Sequence, residues 1–308
     1  MNLSVQLAPK NRLGLLLANP VMTASGTCGY GTEPGQLPDV LSGLGALVCK
    51  GTTLELKAGN PQPRIVETAS GVLNSIGLEN IGVKALIKDK APIWAGWRLP
   101  AIVNIAGEKV DDYARLAKLL DKVAGVSGLE VNISCPNVKA GGAEFGADPA
   151  LAAEVTKAVR KATTLPILVK LTPNTADITK VARAVAEAGA DALTVINTLK
   201  GMAIDVRRRR PVLGNITGGL SGPAIKPVAL YMVYQVAGAV EIPVIGCGGI
   251  TTASDAIEFI MAGASAVQVG TAGFGNPRAP LDILEGIGEF MTKEKLANLS
   301  ELIGAARK

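Results

Sequence analysis

The chain of 308 residues contains no histidine. The side chain whose ordinary pKa lies nearest neutrality is therefore missing, and any proton moved near pH 7 must be handled by another group. The commonest zinc ligand goes with it. Only four cysteines are present, Cys28, Cys49, Cys135 and Cys247, far apart and without a C-x-x-C pair. This argues against a zinc site and against an iron–sulfur cluster held by this chain. Aromatics make up only 3% of the residues, so the core must be built from Val, Ile, Leu and Ala. That suits a parallel sheet buried on both faces. No uninterrupted apolar run reaches the ~18 residues that suggest a membrane span. The first residues, Met-Asn-Leu-Ser-Val-Gln-Leu, show no charged region leading into an apolar core, so no signal peptide is expected. Separated thiols in a chain of this kind point to a reducing cytoplasm.

Charge excludes one further class. The net charge is +5 with a pI of about 9.0, a mild excess that favours anionic ligands. There is no patch of interleaved basic and aromatic residues, so nucleic acid is not an expected partner. The one dense run, Arg207, Arg208, Arg209 and Arg210, reads as a solvated loop face.

The hydrophobic residues, 48% of the chain, fall in short runs that alternate with helical patterns. Residues 3–7 and 13–17 flank Pro9 and Lys10 and read as a β-hairpin. Eight strand-like runs follow, at 21–25, 46–50, 102–106, 129–134, 167–171, 192–197, 244–248 and 266–270. Helices are expected at 110–124, 149–162, 178–188, 224–239, 254–262 and 280–291, and residues 292–308 read as a short mixed-charge helix. Gly189 and Gly263 occupy equivalent places where a helix gives way to the next strand. Eight strand–helix units predict a (β/α)8 TIM barrel in a single domain spanning 1–308. A doubly wound open sheet is the other architecture with this alternation; it lacks its G-x-G-x-x-G turn here. Two long segments, 51–80 and 198–223, each follow a strand and would form long loops on the C-terminal face, where barrel active sites lie.

Polar residues gather at those same strand ends: Lys50, Asn104, Asn132 with Cys135 just beyond, Lys170, Asn197 and Thr198. One of them alone would read as a solvated loop residue or a snorkelling lysine. Two lysines inside apolar strands, together with three asparagines, predict one site at the barrel mouth. Gly248 and Gly249 precede an expected helix start at Thr251 to Asp255, and Gly270 with Thr271 ends the last strand. Bare N–H groups at such turns cradle phosphate, in the loops where barrels commonly hold one. Cys135 is either the reactive group of this site or a small buried filler; the other three cysteines read as fillers.

Several stretches match a known family. Asn132-Ile133-Ser134-Cys135-Pro136-Asn137, Val48-Cys49-Lys50-Gly51-Thr52-Thr53, Asn74-Ser75-Ile76-Gly77-Leu78 and Asn197-Thr198 occur in the family's order across nearly the whole chain. On these residues the sequence resembles the dihydroorotate dehydrogenases, FMN-dependent barrels of pyrimidine biosynthesis. Cysteine at 135, rather than serine, resembles class 1. The stretches 201–205 and 218–227 resemble class 1B, whose members work with a second subunit carrying FAD and a 2Fe–2S cluster and pass electrons to NAD+.

The resemblance implies the following roles. Cys135 removes the C5 proton of dihydroorotate, and hydride from C6 passes to N5 of FMN. Lys50, Asn74, Ser75, Ile76, Gly77, Leu78, Asn132, Asn197 and Thr198 hold the substrate. Ser25, Lys50, Gly51, Asn104, Asn132, Lys170, Ile196 and Gly222 contact FMN, and Gly248, Gly249, Gly270 and Thr271 take its phosphate. The assembly implied is a homodimer of this chain joined to the iron–sulfur/FAD subunit as a heterotetramer. Three rival readings are a class 1A homodimer using fumarate, a tRNA dihydrouridine synthase, which would need a basic extension, and a non-enzymatic ligand-binding barrel.

Overall fold

The computed structural model describes residues 1–33, 38–134 and 145–307. Strands β1 (Val5–Gln6) and β2 (Leu16–Leu17) form the expected antiparallel hairpin. Its leucines Leu7, Leu15 and Leu17 are buried. Leu15 packs at the start of a barrel strand, its Cδ2 3.6 Å from where a Cβ on Gly128 would sit. The hairpin thus covers the end of the barrel opposite the site.

Strands β3 (Val21–Thr23) and β4 (Leu47–Val48) begin the main sheet. The chain leaves for β5 (Ile65–Thr68) and β6 (Gly71–Asn74), then returns for β7 (Ala101–Ile105), β8 (Gly128–Asn132), β9 (Ile167–Leu171) and β10 (Ala192–Val195). A second excursion makes β11 (Leu199–Gly201), β12 (Ile204–Asp205), β13 (Arg210–Pro211) and β14 (Gly218–Ser221). β15 (Val244–Cys247) and β16 (Ala266–Val269) complete the sheet. Its order is β3-β16-β15-β10-β9-β8-β7-β4, with every pair parallel. A parallel bridge between Met22 and Ala46 joins its two edges. This is the (β/α)8 barrel expected from the alternation, and the open sheet is excluded.

The helices are α1 (Pro38–Ser42), α2 (Gly82–Ala85), α3 (Ala91–Trp94), α4 (Val110–Leu120), α5 (Pro149–Ala162), α6 (Ile178–Glu187), α7 (Lys226–Ala237), α8 (Ala253–Met261), α9 (Ala272–Gly275) and α10 (Ala279–Lys293). α5 and α6 start at Asp148 and Asp177, whose carboxylates accept from the first free N–H groups. α6 and α8 end alike. Gly189 and Gly263 have φ of 106° and 120°, and Ala190 and Ala264 donate back to Val185 and Phe259. Only a residue without Cβ takes that φ at low cost, which is why the same glycine stands at both places.

Two expectations are corrected. The segment after α10 is not one helix: it forms two short turns, Leu299–Glu301 and Ala305–Arg307. Asn298 bridges back to Asn2 there, so tertiary contact overrides local helix propensity. The excursions are also more ordered than loops. β11, β14, β6 and β5 pair in that order into a four-stranded antiparallel sheet, with Gly219 opposite Asn74. Their alternation was hidden by the glycines and prolines around them. The arginine run lies in the β12–β13 hairpin, where Arg207 to Arg210 are exposed and Asp205 accepts from the N–H groups of Arg207 and Arg208. Among the described residues, no helix is long and apolar enough to cross a membrane.

Candidate active site

The C-terminal ends of the barrel strands and the four-stranded sheet enclose a cavity of about 700 Å³, within the range of small-molecule and cofactor sites. The structure brings together on its walls Ser25, Lys50, Gly51, Asn104, Asn132, Lys170, Ile196, Asn197 and Thr198 from the barrel side. The excursions contribute Asn74, Ser75, Ile76, Gly77, Leu78 and Gly222. Gly248, Gly249, Gly270 and Thr271 line the side formed by the ends of β15 and β16. Cys135 lies outside the described residues, as do its neighbours Pro136 and Asn137.

One wall is a connected set of amides. Tyr113, 5.6 Å edge-on from Phe145, donates its hydroxyl to the Asn132 carbonyl at 2.8 Å. The Asn132 Oδ1 accepts from the Ser134 N–H and from Asn197 Nδ2, at 3.1 and 3.3 Å. Asn197 Nδ2 also donates to Ser134 Oγ at 3.0 Å, and its Oδ1 accepts from the Thr198 N–H. Opposite, Asn74 Nδ2 donates to the Gly219 carbonyl, and Asn60 Nδ2 donates to Ser75 Oγ at 2.9 Å. These side chains offer neutral donors and acceptors, the complement of a planar ring with N–H and C=O edges. Lys50 adds a positive charge to the cavity wall.

The floor differs from the apolar interior expected of a barrel. Asn104, Glu130, Lys170, Thr194 and Gln268 all point into it, none more than 5% exposed. Glu130 accepts from Asn104 Nδ2 at 2.8 Å, Thr194 Oγ1 at 2.9 Å and Gln268 Nε2 at 2.5 Å. The Lys170 ammonium donates to Gln268 Oε1 at 3.1 Å and stands 3.8 Å from Glu130. Burial pulls Lys170 down, but the Cys247 sulfur and the Glu130 carboxylate outweigh it and hold the ammonium above the ordinary lysine value. Burial pushes the Cys247 thiol up, against the pull of the Lys170 ammonium. The sequence reading passed over Glu130, Thr194 and Gln268. A signal was present, since Glu130 and Gln268 each interrupt an apolar strand just as Lys170 does.

The Gly248–Gly249 turn expected before α8 is present. Gly248 and Gly249 have φ of 131° and 75°. The N–H groups of Thr251 and Thr252 are not bare, because both donate to Asp255 Oδ2 at 2.9 Å in the cap of α8. Gly248, Gly249, Ile250, Gly270 and Thr271 have, among the described residues, N–H groups that meet no protein acceptor. Asp255 does not leave an uncompensated negative charge there. Lys226 contacts it at 2.5 Å and Glu258 at 2.8 Å. Despite burial, the hydrogen bonds from Lys226 and from Thr251 and Thr252 hold Asp255 far below the ordinary carboxylate value. Cys28 and Cys49 are pushed by burial to about 11 and about 12, with Glu33 adding to the first. Among the described residues, no group of histidine, cysteine or carboxylate side chains is placed to hold a metal ion.

Comparison with known proteins supplies what geometry does not. A family model described as dihydroorotate dehydrogenase matches residues 8–291. A protein of Pelobacter propionicus named "Dihydroorotate dehydrogenase B (NAD(+)), catalytic subunit" is 58% identical over 295 residues, covering 96% of this chain and 97% of its own. Proteins with the same name from Trichlorobacter lovleyi and Desulforamulus reducens are 59% and 56% identical, covering 94% and 99% of this chain and 95% and 99% of theirs. The similarity runs the length of the barrel and spans every segment that forms the cavity: the chain belongs to the dihydroorotate dehydrogenase family.

Proposed function

We propose that this chain is the FMN-binding catalytic subunit of an NAD+-linked dihydroorotate dehydrogenase, oxidising dihydroorotate to orotate in pyrimidine biosynthesis. The observation that carries the reading is that the described residues to which the resemblance gives substrate or FMN contacts line one cavity. It is supported by three relatives named as the NAD+-linked catalytic subunit.

The residues fit FMN on an observation independent of the relatives. Asn104 Oδ1 is buried and has no partner among the described residues, and an orphaned acceptor in a cavity floor calls for a ligand N–H. The amide wall with Lys50 would hold the pyrimidine ring and its carboxylate. Asn104, Lys170 and Gly51 would hold the flavin ring, and the N–H groups of Gly248, Gly249, Ile250, Gly270 and Thr271 the phosphate. Bound FMN supplies the hydride acceptor. Cys135 would take the proton from C5 of dihydroorotate as a thiolate, the form able to act as a base. Lys50 is the candidate cation to favour that form. We read 1–308 as one domain and its setting as cytoplasmic. Its partner in this reading is an electron-transfer subunit with FAD and a 2Fe–2S cluster, in a heterotetramer built on a dimer of this chain.

The test is spectroscopic. Purified protein should be yellow, and anaerobic dihydroorotate should bleach it. Turnover with NAD+ should require an iron-containing second chain. Colourless protein that takes up no FMN would sink the reading, and rapid fumarate-dependent turnover by this chain alone would replace it with the homodimeric class.

A further inference from the structure

The floor of the cavity carries a carboxylate that no family motif quoted above assigns. Glu130 is fully buried in the middle of β8, between Leu129 and Val131. All its contacts above are as an acceptor, which is the pattern of an ionised carboxylate. Two consequences follow from which atoms it engages.

The first concerns Asn104. Its Nδ2 donates to Glu130 Oε1 at 2.8 Å. Turning that amide over would set a carbonyl oxygen against a carboxylate oxygen, so the amide has one allowed orientation. Its Oδ1 is then left unpartnered, 3.2 Å from where a Cβ on the cavity residue Gly51 would sit. The second concerns Gln268. Its Nε2 donates to Glu130 Oε2, which turns its Oε1 to the Lys170 ammonium at 3.1 Å. One buried carboxylate thus orients two amides and supplies the counter-charge for the one cation buried among the described residues.

We propose that Glu130 is a positioning residue for the flavin: it fixes the Asn104 carbonyl as an acceptor and the Lys170 ammonium as a donor on the cavity floor. It touches neither substrate nor cofactor and acts through these two side chains. The inference rests on the FMN reading above.

The experiment titrates FMN into apoprotein by flavin fluorescence quenching, alongside thermal unfolding. Four proteins are compared: wild type, Glu130→Gln, Lys170→Met and the double variant. Glu130→Gln is expected to weaken FMN binding about tenfold or more, because glutamine offers an N–H that lets Asn104 turn over and leaves Lys170 without its counter-charge. The double variant, in which both buried charges are gone, should bind at least about fivefold more tightly than the product of the two single losses. Glu130→Asp, which keeps the charge, should stay within about threefold of wild type. A purely structural Glu130 gives the other pattern, in which the losses multiply to within about twofold; that result overturns the proposal. Should Glu130→Gln not fold, the double variant and Lys170→Met decide alone. Binding about two- to threefold weaker than Lys170→Met, the share lost through Asn104, supports the proposal; binding equal to it, which leaves Asn104 no part, or tenfold weaker, which leaves Lys170 none, overturns it. Wild-type apoprotein that takes up no FMN would instead defeat the functional reading itself.

Discussion

Lys226 reaches from the start of α7 to Asp255 in the first turn of α8, with its Nζ 2.5 Å from the carboxylate. The same Asp255 caps α8 through Thr251 and Thr252. A negative charge beside an expected phosphate site is therefore spent on structure.

This gives a pH prediction with a definite sign. Asp255 is depressed in the folded state, so it contributes stability above the unfolded carboxylate value of about 3.9. That contribution is lost as pH falls through the lower folded value. Asp255→Asn should lower the melting temperature at pH 7, at a cost of about 1–2 kcal/mol for the lost cap and ion pair. The gap from wild type should narrow steadily below pH 4. A gap as wide at pH 2 as at pH 7 would mean that the charge of Asp255 is irrelevant.

Gly249 makes a second prediction. Its φ is 75°, and a Cβ there would sit 2.7 Å from the backbone N of Lys226. Neither strain can be relieved by moving a flexible side chain. Gly249→Ala should cost more than about tenfold in FMN affinity, or about 1.4 kcal/mol. Riboflavin, which lacks the phosphate, should lose much less. Equal losses for the two ligands would place the phosphate elsewhere.

The thiols can be counted. Cys49 is fully buried with its pKa near 12, Cys28 is near 11, and Cys247 is also raised. A Cys135→Ser protein should therefore show no fast-reacting thiol toward a disulfide reagent at pH 8 in its native state, and three after denaturation. A rapid stoichiometric reaction in the native variant would mean that another cysteine is the reactive one.

The same variant tests the proposed base. Cys135→Ser should retain FMN but reduce it far more slowly with dihydroorotate at neutral pH. The rate should climb as the pH is raised, because an alcohol gives up its proton less readily than a thiol. Stopped-flow flavin absorbance measures this directly, and an unchanged rate at pH 7 would remove Cys135 from the reaction.

Much of the barrel was legible because its strands are short apolar runs and its helices end at glycines such as Gly189 and Gly263. The gathering of Lys50, Asn104, Asn132 and Lys170 was legible because polar residues stand out in such strands. Glu130 and Gln268 carry the same signal, and the sequence reading missed them because their partners lie 138 residues apart in the chain. Side-chain pairing across a barrel leaves no local trace. Ownership of the N–H groups at the start of α8 was illegible for a related reason: Asp255 looks like any first-turn acid until its carboxylate is seen on Thr251 and Thr252.

The pairing of β6 with β14 has a consequence for how this chain can change over generations. Val72, Leu73 and Asn74 sit opposite Ser221, Leu220 and Gly219, so the two excursions share one register. Slipping one strand by a single residue would turn every side chain on it to the other face. An inserted residue in either strand must then be taken up by a bulge or matched by a change in the other, because the register is shared by segments about 150 residues apart in the chain.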